Sequence, residues 1–151
     1  MKKLALIVLA FTLAGCDKGP EHRVVELPKQ MVIPSGAIVS VQVEDNQTFK
    51  VHSFGYVDPT NCYLLPTGDP EHRFQRKYVR FDNLRCGDKT IPFEGYAVGA
   101  DAMAGLRINV DTGDIADQDR YFSVVLTKTV SVGGLKLEYY SDTVLKSPEP
   151  N

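Results

Sequence analysis

Between residues 37 and 43 the side chains alternate. Ala37, Val39, Val41 and Val43 fall on one side of an extended chain, and Ile38, Ser40 and Gln42 on the other. A period of two belongs to a strand with one buried face. The same spacing returns along the chain. It sets Phe49 and Val51 on one face of residues 48–56, and Val79 and Phe81 opposite Tyr78, Arg80 and Asp82 in residues 77–85. It turns Ile91, Phe93 and Ala97 inward in residues 89–98, and makes Ala104, Leu106, Ile108 and Val110 a one-faced strand. Residues 62–65 are a short apolar piece, and residues 121–130 and 135–145 flank Gly133-Gly134, which reads as a hairpin turn. Pro34-Ser35-Gly36, Asp45-Asn46-Gln47 and Gly87-Asp88 carry turn chemistry, and the second of these makes residues 37–43 and 48–56 a hairpin. No segment shows a convincing amphipathic helical period. The expectation is an all-β fold, an antiparallel β-barrel or sandwich of seven to eight strands with one disulfide.

The first residues belong to a different physical regime. Lys2 and Lys3 precede an uncharged apolar run over residues 4–13, followed by Leu13-Ala14-Gly15-Cys16. A short apolar run behind a cationic tip is a secretory leader, because a spanning helix needs about 20 apolar residues. The four residues ending in Cys16 resemble a bacterial lipobox. That resemblance implies cleavage after residue 15, diacylation of the Cys16 thiol and acylation of the new amino terminus, with palmitate among the chains. More than one acyl chain gives stable anchoring where a single chain does not. The expected organisation is a lipoprotein signal peptide at 1–15, a tether at 16–30, a barrel or sandwich domain at 31–146 and a tail at 147–151. The tether composition leaves room for a short strand at residues 23–27. The location implied is the periplasmic face of the cell envelope. Asp17 resembles the inner-membrane retention signal of enteric lipoproteins, a signal that other Gram-negative groups read differently, so either membrane stays open.

With Cys16 assigned to lipid, Cys62 and Cys86 remain. In an oxidising compartment an even remainder reads as a disulfide; two cysteines without histidines at ligand spacing make a poor metal site. Without Lys2 and Lys3 the chain has 15 basic against 19 acidic residues, a net charge of −4. That balance and the location argue against nucleic-acid binding.

Other strings carry weaker signals for chemistry. No Gly-x-Ser-x-Gly, His-Glu-x-x-His or phosphate-cradling glycine loop is present, so no catalytic residue, small-molecule substrate, cofactor or metal is assigned. His22 and His72 sit in matching "PEHR" strings, where turn composition explains the match better than a shared metal. His52 falls on a polar strand face and reads as solvent-exposed. "DTGDIADQD" at 111–119 carries four aspartates without the spacing of an EF-hand, and reads as a solvated loop. Asn46-Gln47-Thr48 is a glycosylation sequon expected to stay empty in a bacterial lipoprotein. "HRFQRKYVR" at 72–80 is basic with interleaved aromatics; it reads as a solvated strand face, with protein docking as the main functional alternative.

One stretch carries more than periodicity. Residues 62–86, "CYLLPTGDPEHRFQRKYVRFDNLRC", run on into "GDKTIPFEGYAVGADAMAGLR". Together with "VIPSGAIVSVQV" at 32–43, they resemble the C-terminal barrel domain of the TraB/TrbI-type subunit of conjugative type IV secretion systems. The resemblance rests on Cys62, Arg76, Tyr78, Val79, Arg80 and Cys86, then Pro92, Glu94, Gly95, Tyr96, Val98 and Gly99, then Asp101, Ala104, Gly105, Leu106 and Arg107. It implies a cystine between neighbouring strands, bends or tight backbone approaches at Gly95 and Gly105, and an Arg107 turned from the core and free to meet a partner. Two departures stand out: a lipid replaces the family's spanning helix, and the polar loop at 111–119 stands near the place of its membrane-inserting helical hairpin. A loop of that length cannot cross a bilayer, so the pore element is missing.

The function expected from this combination is a non-catalytic, membrane-anchored accessory that binds the barrel subunits of the secretion core. Arg73, Arg76, Tyr78, Arg80 and Arg107 are the candidate partner-binding residues. The alternative is an exclusion lipoprotein, plasmid- or phage-borne, that blocks an incoming transfer machine by mimicking its barrel subunit.

Overall fold

A computed structural model describes residues 20–45, 47–53 and 57–143. Cys16, the leader at 1–15, the tail at 147–151 and Asn46 lie outside them. Thirteen strands are present among the described residues. In chain order they are β1 (His22–Glu26), β2 (Val32–Ile33), β3 (Ile38–Val43), β4 (Phe49–Ser53), β5 (Cys62–Pro66), β6 (Glu71–Arg73) and β7 (Arg76–Tyr78). There follow β8 (Arg80–Cys86), β9 (Lys89–Val98), β10 (Leu106–Arg107), β11 (Tyr121–Leu126), β12 (Val130–Ser131) and β13 (Lys136–Tyr140). The only helical turns among these residues are single 3-10 turns at Asp117–Asp119 and Ser141–Thr143. Among the described residues no helix is long and apolar enough to cross a membrane.

Six strands close an antiparallel barrel in the order β3-β4-β5-β8-β9-β11, with β11 returning to pair with β3. These are the strands with the clearest period of two. Val39, Val41 and Val43 line the lumen from β3, Phe49 and Val51 from β4, Leu64 from β5, Phe93 and Ala97 from β9, and Phe122, Val124 and Leu126 from β11. Register shifts along β8 bring Phe81 and Leu84, three residues apart, both inside. The rings of Phe49, Phe81 and Phe122 meet edge-on or stacked, with centroids 5.2 to 6.4 Å apart, and plug one end of the lumen. Near the other end, Cys62 and Cys86 face each other across β5 and β8 with Cα atoms 4.1 Å apart and form the expected disulfide.

Gly95 is where the walls come closest. A Cβ on it would lie 2.7 Å from Val124 Cγ1 and 2.8 Å from the Val125 carbonyl oxygen. The close backbone approach expected at this glycine is present.

The short strands seal the two ends differently. At the cystine end, β1 pairs with β13 and β2 with β12. Asn61 stitches this layer to the barrel: its Nδ2 donates to the Lys136 carbonyl at 3.0 Å, and its Oδ1 accepts from the Glu138 amide at 2.9 Å. Leu27, Val130, Val132, Leu135 and Leu137 are buried there and continue the core. At the opposite end, β6, β7 and β10 form a three-stranded flap. It interrupts the barrel between β5 and β8, and again between β9 and β11.

Several expectations change. The short strand allowed at 23–27 is present one residue earlier, as His22–Glu26 paired with β13. Residues 121–130 and 135–145 do not pair with each other: β11 joins β3 and β9, β12 joins β2, and β13 joins β1. The Gly133-Gly134 turn redirects the chain without making a hairpin. The one-faced strand expected at 104–110 shrinks to Leu106–Arg107, with Val110 64% exposed. Strands of two or three residues carry too few side chains to show a period, which is why thirteen are found where seven or eight were expected.

Two measurements test this architecture. The double replacement Cys62→Ala/Cys86→Ala should cost about 3 kcal/mol in urea unfolding, the entropy of a cross-link between residues 24 positions apart. Gly95→Ala should cost about 1–3 kcal/mol, because neither Val124 nor the β11 backbone has room to move aside.

Candidate functional site

At the flap end four charged side chains from four segments converge. Arg76 comes from β7, Asp101 from the 99–105 loop, Arg107 from β10 and Asp119 from the 3-10 turn. The Arg76 guanidinium donates to both Asp101 oxygens, at 2.8 and 3.0 Å. It also donates to the carbonyls of Met103, Ala104 and Gly105, at 3.2, 3.0 and 2.8 Å. Every nitrogen of the side chain is therefore in use. Asp119 has no exposed surface. Its carboxylate accepts from the amides of Ala100 (2.9 Å) and Arg107 (2.7 Å), and from Arg107 Nε (3.2 Å) and Nη2 (2.8 Å). Arg107 Nε also stands 3.8 Å from Asp101, which joins the two pairs into one network.

The protonation states follow from these contacts. Hydrogen bonding from Arg76 lowers the Asp101 pKa to about 2. Burial alone would raise that of Asp119, but the hydrogen bonds from Arg107 and from the Arg107 and Ala100 amides outweigh it, and the net shift is downward. Two carboxylates held ionised beside two guanidiniums have no proton to exchange at neutral pH. The arrangement is a clamp that fastens the flap to the barrel rim.

This corrects the reading of two candidate docking residues. Arg76 is buried and spent internally, and Arg107 is bound by Asp119 instead of being free. Alternation correctly turned Arg107 away from the apolar side, but it could not show that an acidic turn would cover that side. The loop at 111–119 is likewise not simply solvated: Asp111, Asp114 and Asp117 are exposed, whereas Ile115 and Asp119 are buried.

The remaining candidates line a groove of about 390 Å³ between the flap and the barrel. Its walls are Glu71, Arg73, Tyr78, Arg80 and Tyr96, and its floor includes Ala97, Ala104 and Gly105. Arg73 lies over the Tyr78 ring, 4.6 Å from its centroid, with Glu71 3.6 Å from its Nε. The same ring packs on Gly105, which has φ +84° and where a Cβ would lie 2.9 Å from two of the ring atoms. The tight approach expected at Gly105 is found. Arg80 is exposed and makes no ion pair among the described residues.

The tip of the flap carries a feature that the sequence reading passed over. Phe74 and Gln75 make the two-residue connection between β6 and β7, at φ +53° and +61°. Such a turn favours Asn-Gly, and a side chain held in the left-handed region costs on the order of 1–3 kcal/mol. Phe74 is nevertheless 84% exposed, more than any other large apolar residue described.

The histidines are not gathered. His22 belongs to β1 at the cystine end, 3.1 Å from Glu138, and His72 to β6 at the flap end. His52 packs edge-on against Tyr121 at 5.1 Å and is half-buried, not solvent-exposed. No cluster of three metal-ligating side chains occurs among the described residues.

The clamp sets a pH dependence of known sign. A carboxylate whose pKa falls on folding adds stability that is complete above its unfolded value near 3.8 and is lost as pH drops through the folded value. Urea unfolding should therefore show stability falling from pH 4 towards pH 2, and Asp101→Asn should flatten that slope. Asp119→Ala should cost about 3–5 kcal/mol at pH 7, since it strands Arg107 and two amides. No protein-family model matches the chain, and no curated protein matches it.

Proposed function

We propose that this protein is a periplasmic lipoprotein, anchored through acylated Cys16, that serves a conjugative type IV secretion apparatus as a non-catalytic accessory docking on its barrel subunits. The observation that carries the reading is where the TraB/TrbI-like residues fall. Cys62 and Cys86 staple adjacent walls, Gly95 and Gly105 stand at close approaches, and Arg76, Asp101 and Arg107 build the clamp. Tyr78, Arg80, Tyr96, Ala104 and Gly105, which also belong to the likeness, line the groove beside the flap. A likeness shared between strand contacts, an ion network and a surface groove favours a shared scaffold with a docking face, and with it assembly among barrels. The exposed side of the flap, with Arg73, Tyr78 and Arg80, is the surface available for docking.

One observation favours the exclusion reading as the second choice. The loop after β10 is closed on itself by an Ile108–Ile115 bridge and committed to the clamp through Asp119. A barrel that bears a short closed loop where the resembled subunit inserts a hairpin suits a mimic that caps an incoming machine.

Tagged protein should co-purify with a barrel subunit of the transfer apparatus, and its deletion should reduce DNA transfer. Recipient cells that express it alone should take up DNA normally under the accessory reading and poorly under the exclusion reading. Failure to co-purify, with transfer and uptake both unchanged, removes both.

A further inference from the structure

We infer that the β6–β7 tip is a docking wedge, with Phe74 seated in an apolar socket rimmed by carboxylates on a folded protein partner. Four features lead there. Phe74 is almost wholly solvent-exposed, in a turn whose backbone suits asparagine and glycine better than phenylalanine and glutamine. Neither the fold's apolar core nor the turn geometry accounts for an aromatic ring at this position. Side chains held in the left-handed region cluster at ligand clamps and switch regions, and aromatic residues are favoured anchors at protein interfaces.

The mounting is rigid. Two residues past the wedge, Arg76 is fastened to Asp101 and three carbonyls, and the Ile108 amide donates to the Gln75 carbonyl. A ring fixed in advance loses little freedom on binding. The neighbours supply the sign of the partner. Arg73 is exposed and shares its charge with Glu71, but Arg80 is exposed with no ion pair among the described residues and Lys77 is half-exposed, so the flap and rim keep a local positive excess while the chain as a whole is acidic. A local cationic rim around an aromatic anchor is complementary to carboxylates around a cavity.

An anionic bilayer offers similar chemistry, and topology favours protein over it. The flap and β1 lie at opposite ends of the barrel. On the proposed reading that Cys16 is lipidated, the four residues to Pro20 reach at most about 14 Å. The barrel strands are about 20 Å long. A domain standing on so short a tether points Phe74 away from the membrane that holds it.

A photo-reactive benzoylphenylalanine placed at position 74 of the full lipoprotein, irradiated in intact cells, should yield an adduct with a protein peptide containing both apolar and acidic residues. Against the purified barrel subunit, Phe74→Asn should weaken binding by about tenfold or more while raising the melting temperature, because asparagine suits the turn. Arg80→Glu should weaken binding and flatten its salt dependence. Adducts confined to lipid, together with Phe74-dependent binding to phosphatidylglycerol vesicles, would overturn the inference in favour of a membrane wedge. Equal binding of the barrel subunit by the Phe74→Asn variant overturns it and leaves the proposed function standing. An adduct on an acidic, apolar-lined protein outside the transfer apparatus upholds the wedge and removes the proposed function.

Discussion

The carboxylate of Asp119, wholly withdrawn from water, is the contact on which the flap end depends. It binds the β10 backbone through the Arg107 amide, the β10 side chain through the guanidinium, and the β9–β10 loop through Ala100. Through Arg107 it meets Asp101, and through Asp101 it meets Arg76 on β7. Buried ion pairs are seldom net sources of stability, because desolvation offsets most of the attraction. What this one provides is placement. A three-stranded sheet of eight residues buries almost no apolar surface of its own, with Leu106 as its one fully buried aliphatic side chain. Sheets that small do not persist without something to pack on. The clamp takes the place of the missing core and fixes the flap in one orientation.

The two ends of the barrel thus solve the same problem by opposite means. The cystine end is covered by aliphatic side chains from β12, β13 and the segment after β1. The flap end has a plug of three phenylalanine rings inside and an ion network outside. An apolar cover tolerates rearrangement among similar side chains. A network in which one buried carboxylate holds four donors tolerates very little. The exposed aromatic and cationic residues are mounted on the less tolerant end, where their positions are best defined.

Much of the barrel could be read from the order of residues. The alternation in residues 37–43 and 89–98 places Val39, Val41, Phe93 and Ala97 inside, and they are inside. The cysteine pair and the approach at Gly95 were also legible, since each is a local requirement written in one residue type, and the family resemblance added the approach at Gly105. What was not legible depends on partners distant in the chain. The Gly133-Gly134 turn announces a change of direction but not which strand comes next. Asp119 looks like its three exposed neighbours in the loop, and only the return of that loop over Arg107 sets it apart. Phe74 sits in a string whose basic residues drew attention to charge, and only its backbone angle and exposure single it out.

The order of pairing has a kinetic consequence. Five of the six barrel seams join strands that follow one another around the wall, and they require only turns or the flap between them. The sixth joins Ile38 to Val125, and the cover adds His22 with Tyr140. Closing such long loops is the entropically dear step of assembly. Under the proposed export, with the amino terminus entering an oxidising space first, Cys62 can therefore link to Cys86 on an open sheet while the final third of the chain is still arriving. The ring then shuts late, around a sheet already tied together.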